Sequence, residues 1–448
     1  MHPREGTAEG RGAASFYGED ARLRQRRRAE RRFQSYGIVA IGVSLLLLLL
    51  LVVTIIHNGR AAFTQSYITL EVTLLPEVLD KNGTRNLEDI RKVSTFGYAP
   101  LLRHALAQAV ADFDIQTPLS PQEMAKLLSM SAGYQLRSFV LEDIGRIGET
   151  HKLRFLATSR IDGYMKGRVN RDSAARERTI TPVHLDLADA MIAVGILEKT
   201  FNPDFIFGAD ASDQRPEAAG FGVAMLGSFF MMLVVLVLSL PIGVAAAIFL
   251  EEFAPRNKLS DLIEISISNL AAVPSIVFGI LALSLFINYM HLPQSAPLVG
   301  GLALTFMTLP TIIIATRASL KAVPPSIRDA ALGLGASKMQ TVFHHVLPLA
   351  APGIMTGTII GLAQALGETA PLLLIGMIGF IASNPPTSLS EGLLSPNSAM
   401  TAQIYEWAKR ADPAFAERAW AGILILLVFL VSMNIIAIVL RHRFEHRW

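Results

Sequence analysis

The chain has 448 residues, 51% of them hydrophobic and 17% charged, with a mean hydropathy of +0.42 and a net charge of +3. That balance excludes a string of ordinary soluble domains and points to a bilayer. A basic chain also suits a nucleic-acid binder, but here the arginines abut an apolar run and no aromatic-studded basic surface accompanies them, so no nucleic-acid partner is expected. The absence of cysteine excludes disulfides, thiolate metal sites and cysteine nucleophiles.

Residues 1–36 form a basic tail, with nine arginines and no lysine in the first 32 positions. It reads as a solvated retention signal more simply than as a segment bound to anionic lipid. Gly37 to Ile56 is an uncharged run of 20 residues, enough to cross about 30 Å of hydrocarbon as a helix. The rival reading, a cleaved signal peptide, is weakened by the length of the run and by the poor cleavage site Gly59-Arg60-Ala61. The first transmembrane helix is therefore placed at 37–57. Residues 58–218 have soluble composition and form an inserted domain. Tyr67 to Leu74 alternates as a strand does, and Ser120-Pro121-Gln122-Glu123 supplies a cap, a first-turn proline and a capping-box glutamate before a helical run to about Met130. A mixed α/β domain is expected there.

Further spans are placed at about 221–249, 265–287, 297–316, 349–379 and 419–440, six in all, with the fifth long enough to be tilted or broken. Pro241, Pro274, Pro310 and Pro371 interrupt them. The N-terminal arginines, Arg256, Lys258, Arg317, Lys321, Arg328, Lys338, Arg441, Arg443 and Arg447 then share one face. The positive-inside rule makes that face cytoplasmic, puts both termini in the cytoplasm and sends residues 58–218 to the other side, with Lys409, Arg410 and Arg418 as mild exceptions. The fold expected is an all-α polytopic membrane protein with an inserted mixed α/β domain.

The most informative segment lies between the fourth and fifth spans, at 323–348. Asp329-Ala330-Ala331 is followed by Gly335 and by Leu347-Pro348. Val323-Pro324-Pro325-Ser326 is expected to start a helix with Ser326 capping it, Gly333 and Gly335 to permit a sharp turn, and a second helix to end at Leu347-Pro348. Glycine and proline alone are ordinary punctuation between spans; their joint occurrence with Asp-Ala-Ala on the basic face is not. This segment resembles the EAA coupling loop of ATP-binding-cassette importers, with Asp329 in place of Glu and His345 in place of an apolar residue. Gly333 to Lys338 is not a phosphate-binding loop, because Ser-Lys-Met replaces Gly-Lys-Ser/Thr. ATP and Mg are therefore expected on a partner ATPase, and the chain is expected to be a transporter subunit rather than an enzyme.

Glu368 is the only charged residue from Met339 to Ser390. A carboxylate in mid-span costs roughly 2.5–3.5 kcal/mol, so it should face a polar pathway, pair with a cation or be protonated. Gly353, Gly357, Gly361, Gln364 and Glu368 fall on one helical face. One reading has this stripe serve passage as well as packing; the other has the glycines pack helices while Glu368 is a structural hydrogen-bond partner or lies at the membrane interface.

Several stretches resemble the PstA-type permease of bacterial phosphate importers: Leu240 to Glu252, Val273-Pro-Ser-Ile-Val-Phe-Gly279, the coupling loop, Leu366-Gly-Glu-Thr-Ala-Pro-Leu372 and Ala419-Trp-Ala-Gly422. They span residues 219–448. Residues 57–218 resemble an extra region carried by a subset of these permeases. The resemblance implies an importer core of the type I class in the inner membrane and a second permease of the PstC type. It also implies an ATPase dimer on the coupling loop (Asp329, Ala330, Ala331, Gly335, Leu347, Pro348) and a periplasmic phosphate-binding protein. Glu368, with Gln364 and Thr369, would belong to the substrate pathway. Gln364 stands where many relatives carry Arg. The rivals are a permease for sulfate, molybdate or phosphonate, a membrane-anchored receptor sensing through 58–218, and a proton-coupled transporter.

Overall fold

A computed structural model describes residues 21–80, 83, 85–176, 179–377 and 388–444. The first 20 residues of the basic tail, positions 378 and 379 of the fifth expected span, and Arg447 lie outside that set. The chain falls into two compact units, Met1–Ile55 and Ile56–Trp448. The first contributes most of a 39-residue helix, Ala21–Gly59. Its leucines from Leu45 to Leu51 are exposed, as suits a helix solvated by lipid.

Within the second unit, the strand expected at Tyr67 to Leu74 is β1 (Thr64–Thr73). It lies at the centre of a three-stranded antiparallel sheet, flanked by β2 (Thr150–Leu156) and β3 (Leu197–Phe201). Tyr67 faces Leu156 and Thr64 faces Phe201 across the two ladders. Ile68, Leu70 and Val72 point to the same face and are buried with Leu102, Leu106, Leu136 and Leu185 from the covering helices. Ser120 does accept a hydrogen bond from the Glu123 amide, and Pro121 opens the helix. The helix stops at Met124, however, and a tighter turn carries the chain to Leu127, short of the expected Met130.

The membrane core is built on Gly222–Ile248, Pro297–Lys321, Leu347–Gly367 and Pro413–Phe444. Among the described residues five helices are long and apolar enough to cross a bilayer. The expected span at 265–287 is a sixth only when a bent pair of helices, which passes the same test together, is counted as one broken span. The pair is Lys258–Ala271 and Ser275–Tyr289, bent by 98°. Pro274 disfavours helix at Val273 and brings no amide of its own, so the break falls where the two effects coincide. Pro241 and Pro310, by contrast, sit inside unbroken helices.

Small residues set the spacing of these helices. A Cβ on Gly243 would lie 2.8 Å from Ile312, and one on Gly301 would press into Val234. Gly353 and Gly357 are held against Ser319 and Ala315 in the same way. The glycine stripe of the fifth segment is therefore a packing surface against Pro297–Lys321.

Residues 58–218 are fastened to the core by buried charge. Lys166 lies 2.7 Å from Asp162 and 2.9 Å from Glu417, the latter on the C-terminal helix. Arg168 approaches Asp162 at 3.3 Å and Glu417 at 2.7 Å, the second contact off hydrogen-bond alignment. Next to Glu417, Arg418 is fully buried. Its guanidinium donates to the carbonyls of Ala219, Glu217 and Ala414 and to the side chain of Gln65 on β1. Arg410 pairs with Asp210 at 2.8 Å, and the Trp407 indole donates to the same carboxylate. Lys409 pairs with Glu406. Two of the three cations that looked like exceptions to the charge asymmetry, Arg410 and Arg418, are thus structural, whereas Lys409 is half exposed.

Removing one partner of a buried pair leaves an uncompensated charge and costs about 3–5 kcal/mol. Glu417→Ala is therefore expected to destabilise the protein by that amount in denaturant titration in lipid nanodiscs; a change under about 1 kcal/mol would contradict the account. Burial raises the Glu217 carboxyl above 4.5, outweighing the hydrogen bonds it accepts from Ser129 and the Ser159 amide. A raised acid favours the folded state below its unfolded value and loses that contribution as pH rises through its folded value. Thermal stability should accordingly fall as pH climbs above 4.5, and Glu217→Gln should flatten that fall; identical slopes would contradict it.

Candidate functional site

The candidate coupling loop is a helix, Pro325–Gly333, followed by a turn and a long second helix. Pro324 occupies the cap position and no side chain caps the helix, so Ser326 lies inside its first turn rather than capping it. Proline at the first helical position fixes φ and lacks only an amide that would be unsatisfied anyway. Gly335 has φ +88° and makes the turn, whereas Gly333 is the last helical residue. Ser337 and Gln340 then form a capping box.

The second helix does not end at Leu347-Pro348. It runs from Lys338 to Gly367, with a widened turn at Val342–Val346. That widening relieves the clash between the Pro348 ring and the carbonyl of the preceding turn.

The loop is seated on an apolar base of Ile248, Leu320, Val323, Val342 and Val346. Ala331 is buried, while Asp329, Ala330 and Gly335 face outward. Arg328 fixes the orientation. Its Nε and Nη2 donate to Glu252 at 3.1 and 2.7 Å, and its Nη1 and Nη2 donate to the carbonyls of Val323 and Leu320. A planar guanidinium makes such forked contacts where an ammonium would not. Glu252 closes the long helix that begins at Gly222, so the coupling helix and that helix are joined at one end. Arg317 adds ion pairs to Glu264 at 2.8 Å and Glu251 at 3.4 Å. In the sequence Arg328 registers only as one more cation on the basic face; the adjacent Glu251-Glu252 at a span end was the available signal. Leu334, beside Gly335, is 90% exposed and was not singled out.

The helix Leu347–Gly367 stops at Glu368, which has extended backbone, and a short helix resumes at Ala370–Leu374. The expectation of a broken fifth segment holds. The Glu368 carbonyl, freed from the helix, accepts a hydrogen bond from the Thr401 hydroxyl at 2.9 Å. Glu368 and Thr369 are half-buried and Gln364 is exposed. Among the described residues no cation or hydrogen-bond donor is paired with the Glu368 carboxylate. The short helix packs against Ser275–Ala282, and a Cβ on Gly279 would lie 2.7 Å from Pro371. Val273–Gly279 and Leu366–Leu372 are therefore adjacent in space, one break of helix beside another.

An exposed leucine at a loop tip is a ready apolar anchor for a partner's groove, and central anchors contribute 2 kcal/mol or more, about thirtyfold in affinity. Leu334→Asp should weaken association with the ATPase subunit by about that factor while leaving thermal stability unchanged; wild-type affinity would remove the residue from the interface.

Residues 239–447 match the family described as "Binding-protein-dependent transport system inner membrane component", and residues 20–175 match a domain of unknown function, DUF3333. The chain is 32% identical over 229 residues to the phosphate transport system permease protein PstA of Xylella fastidiosa, a match covering 51% of this chain and 77% of that protein. It is 31% identical to PstA 1 of Mycobacterium tuberculosis, over 50% of this chain and 72% of the other. A probable ABC transporter permease of Bacillus subtilis, YqgI, is 36% identical over 35% of this chain, which spans about half (53%) of that relative's length. A likeness of this extent over a multi-pass core shows that the chain is an inner-membrane permease of an ABC importer and belongs to the PstA family.

Proposed function

We propose that this permease moves inorganic phosphate across the bacterial inner membrane by alternating access. The observation that carries the reading is the juxtaposition of Val273–Gly279 with the break at Glu368, because both segments are among the stretches that resemble the phosphate permeases. Relatives named as phosphate permeases, each matched over 229 residues, support it.

On this reading both termini are cytoplasmic and residues 58–218 are periplasmic, since the basic residues of the coupling loop and both ends then lie inside. An ATPase dimer, holding ATP and Mg, engages Asp329, Ala330, Ala331 and the turn at Gly335. Motion of that helix reaches the membrane through Arg328 and Glu252 at one side and through the continuous helix containing Leu347 and Pro348 at the other. A second, PstC-type permease completes the pathway, and a periplasmic binding protein delivers the substrate.

Glu368 is the chemical centre of the proposal, with Thr369 and Gln364 nearby. A carboxylate repels phosphate, whereas a carboxylic acid donates a hydrogen bond to it; equally, an ionised Glu368 would hold an arginine from the partner permease. Both roles need the carboxyl to be unpaired within this chain, as it is among the described residues. Gln364 is exposed, and its departure from the Arg that the resemblance implies in many relatives leaves a second reading in which the transported oxyanion is sulfate, molybdate or phosphonate.

Glu368→Gln, expressed in cells lacking the native gene, should abolish phosphate uptake while the assembled complex still purifies with its ATPase. Wild-type uptake by that variant would remove Glu368 from the mechanism.

A further inference from the structure

The inserted domain carries a cleft of about 680 Å³ between the helices Ala99–Asp112 and Ala132–Glu142 and the segment Ser212 to Arg215. That volume lies in the range of small-molecule sites, roughly 300–1,000 Å³. Phe96, Met130 and Tyr134 line it and are 77, 58 and 54% exposed. Phe113, Phe201 and Phe207 are exposed on the same domain as well, but these three are gathered around one concavity, which is where an exposed apolar patch marks a binding site.

Arg103 and Arg215 line the same cleft, and no acidic residue is among its lining. Neither guanidinium has an ion pair or hydrogen bond to another described residue. Elsewhere in the domain Arg137, Arg146, Arg154 and Arg171 all donate to carbonyls, hydroxyls or carboxylates. Two half-buried cations without counter-charge, facing an apolar and aromatic wall, make a site of defined polarity. Gln122 and Gln214 add amides at the rim.

We propose that this cleft binds a small organic anion. Its phosphate or carboxylate head lies between Arg103 and Arg215, which can fork onto either group, and its aromatic or aliphatic body lies on Phe96, Met130 and Tyr134. The floor of the cleft is Ser129, whose hydroxyl donates to Glu217; the Glu217 carbonyl in turn accepts from Arg418 of the C-terminal helix. Occupancy is thus one hydrogen bond removed from the contacts that fasten this domain to the membrane core, a position suited to regulation. The site is independent of which oxyanion the core transports.

The test uses the full chain in lipid nanodiscs and 4-fluorophenyl phosphate, followed by fluorine NMR line broadening. 4-Fluorobenzyl alcohol serves as the neutral analogue and inorganic phosphate as competitor. Saturable broadening is expected for the anion only, with the dissociation constant raised at least tenfold in the double variant R103A/R215A and at least threefold in Phe96→Ser. Inorganic phosphate should compete poorly, since it has no body to place. Both cations are unpaired, so the double variant should keep its thermal stability and a loss of binding will not reflect unfolding. Absence of saturable broadening, equal binding by the double variant, or equal binding of the neutral analogue would overturn the proposal. Full displacement by equimolar inorganic phosphate would overturn the assignment of an organic body.

Discussion

In hydrocarbon every backbone amide and carbonyl must find its partner within the protein, and the architecture of the core follows from that demand. It makes long helices the default, and it gives each interruption a cost that something nearby must offset. Among the described residues two such interruptions stand out in the core, one at Pro274 and the other at Glu368. At the second, a threonine hydroxyl from a distant segment caps the freed carbonyl. The two breaks are adjacent because Gly279 admits Pro371 to close contact. Irregular backbone at membrane depth is tolerated where it is buried in protein or lines a cavity, which is the physical ground for the proposal that the carboxylate of Glu368, unpaired among the described residues, faces the path.

The same long helix, Gly222 to Phe253, connects the two polar assemblies of the molecule. At its last turn Glu252 holds the coupling helix through Arg328. Just before its first turn, the carbonyls of Glu217 and Ala219 hold Arg418 of the C-terminal helix. Both are guanidinium groups that bridge separate elements through several acceptors at once, which resists rotation better than a single ion pair does. Between them, contacts such as Gly243 on Ile312 and Gly301 on Val234 leave little room for sliding. Force applied at the coupling loop therefore has a stiff route into the core.

Much of this was legible in the sequence. Hydropathy located the long spans, alternation located β1, and the Asp329 to Pro348 spacing located a helix and turn between two of the spans, because each rests on local chemistry. What failed was also local in origin. Hydropathy read the uncharged run at 265–287 as one span; Pro274 was legible as an interruption, but not that it bends the pair by 98° while Pro241 and Pro310 leave their helices unbroken. Leu347-Pro348 was read as an end, yet a widened turn carries the helix through. The charged contacts among Asp162, Lys166, Arg168, Glu417 and Arg418 join positions some 250 residues apart, and nothing in a linear pattern brings them together. Arg418 in particular looked like a stray positive charge and proved to be fully buried.

The central claim is that the junction of the two helix breaks serves phosphate. It is tested most directly by labelled-phosphate uptake in cells lacking this gene and any redundant importer, with and without its restoration, in the presence of excess sulfate, molybdate or unlabelled phosphate. Restored uptake suppressed only by unlabelled phosphate is the result expected. Uptake that does not return, or that sulfate or molybdate suppresses equally, would contradict the assignment and turn attention to another oxyanion.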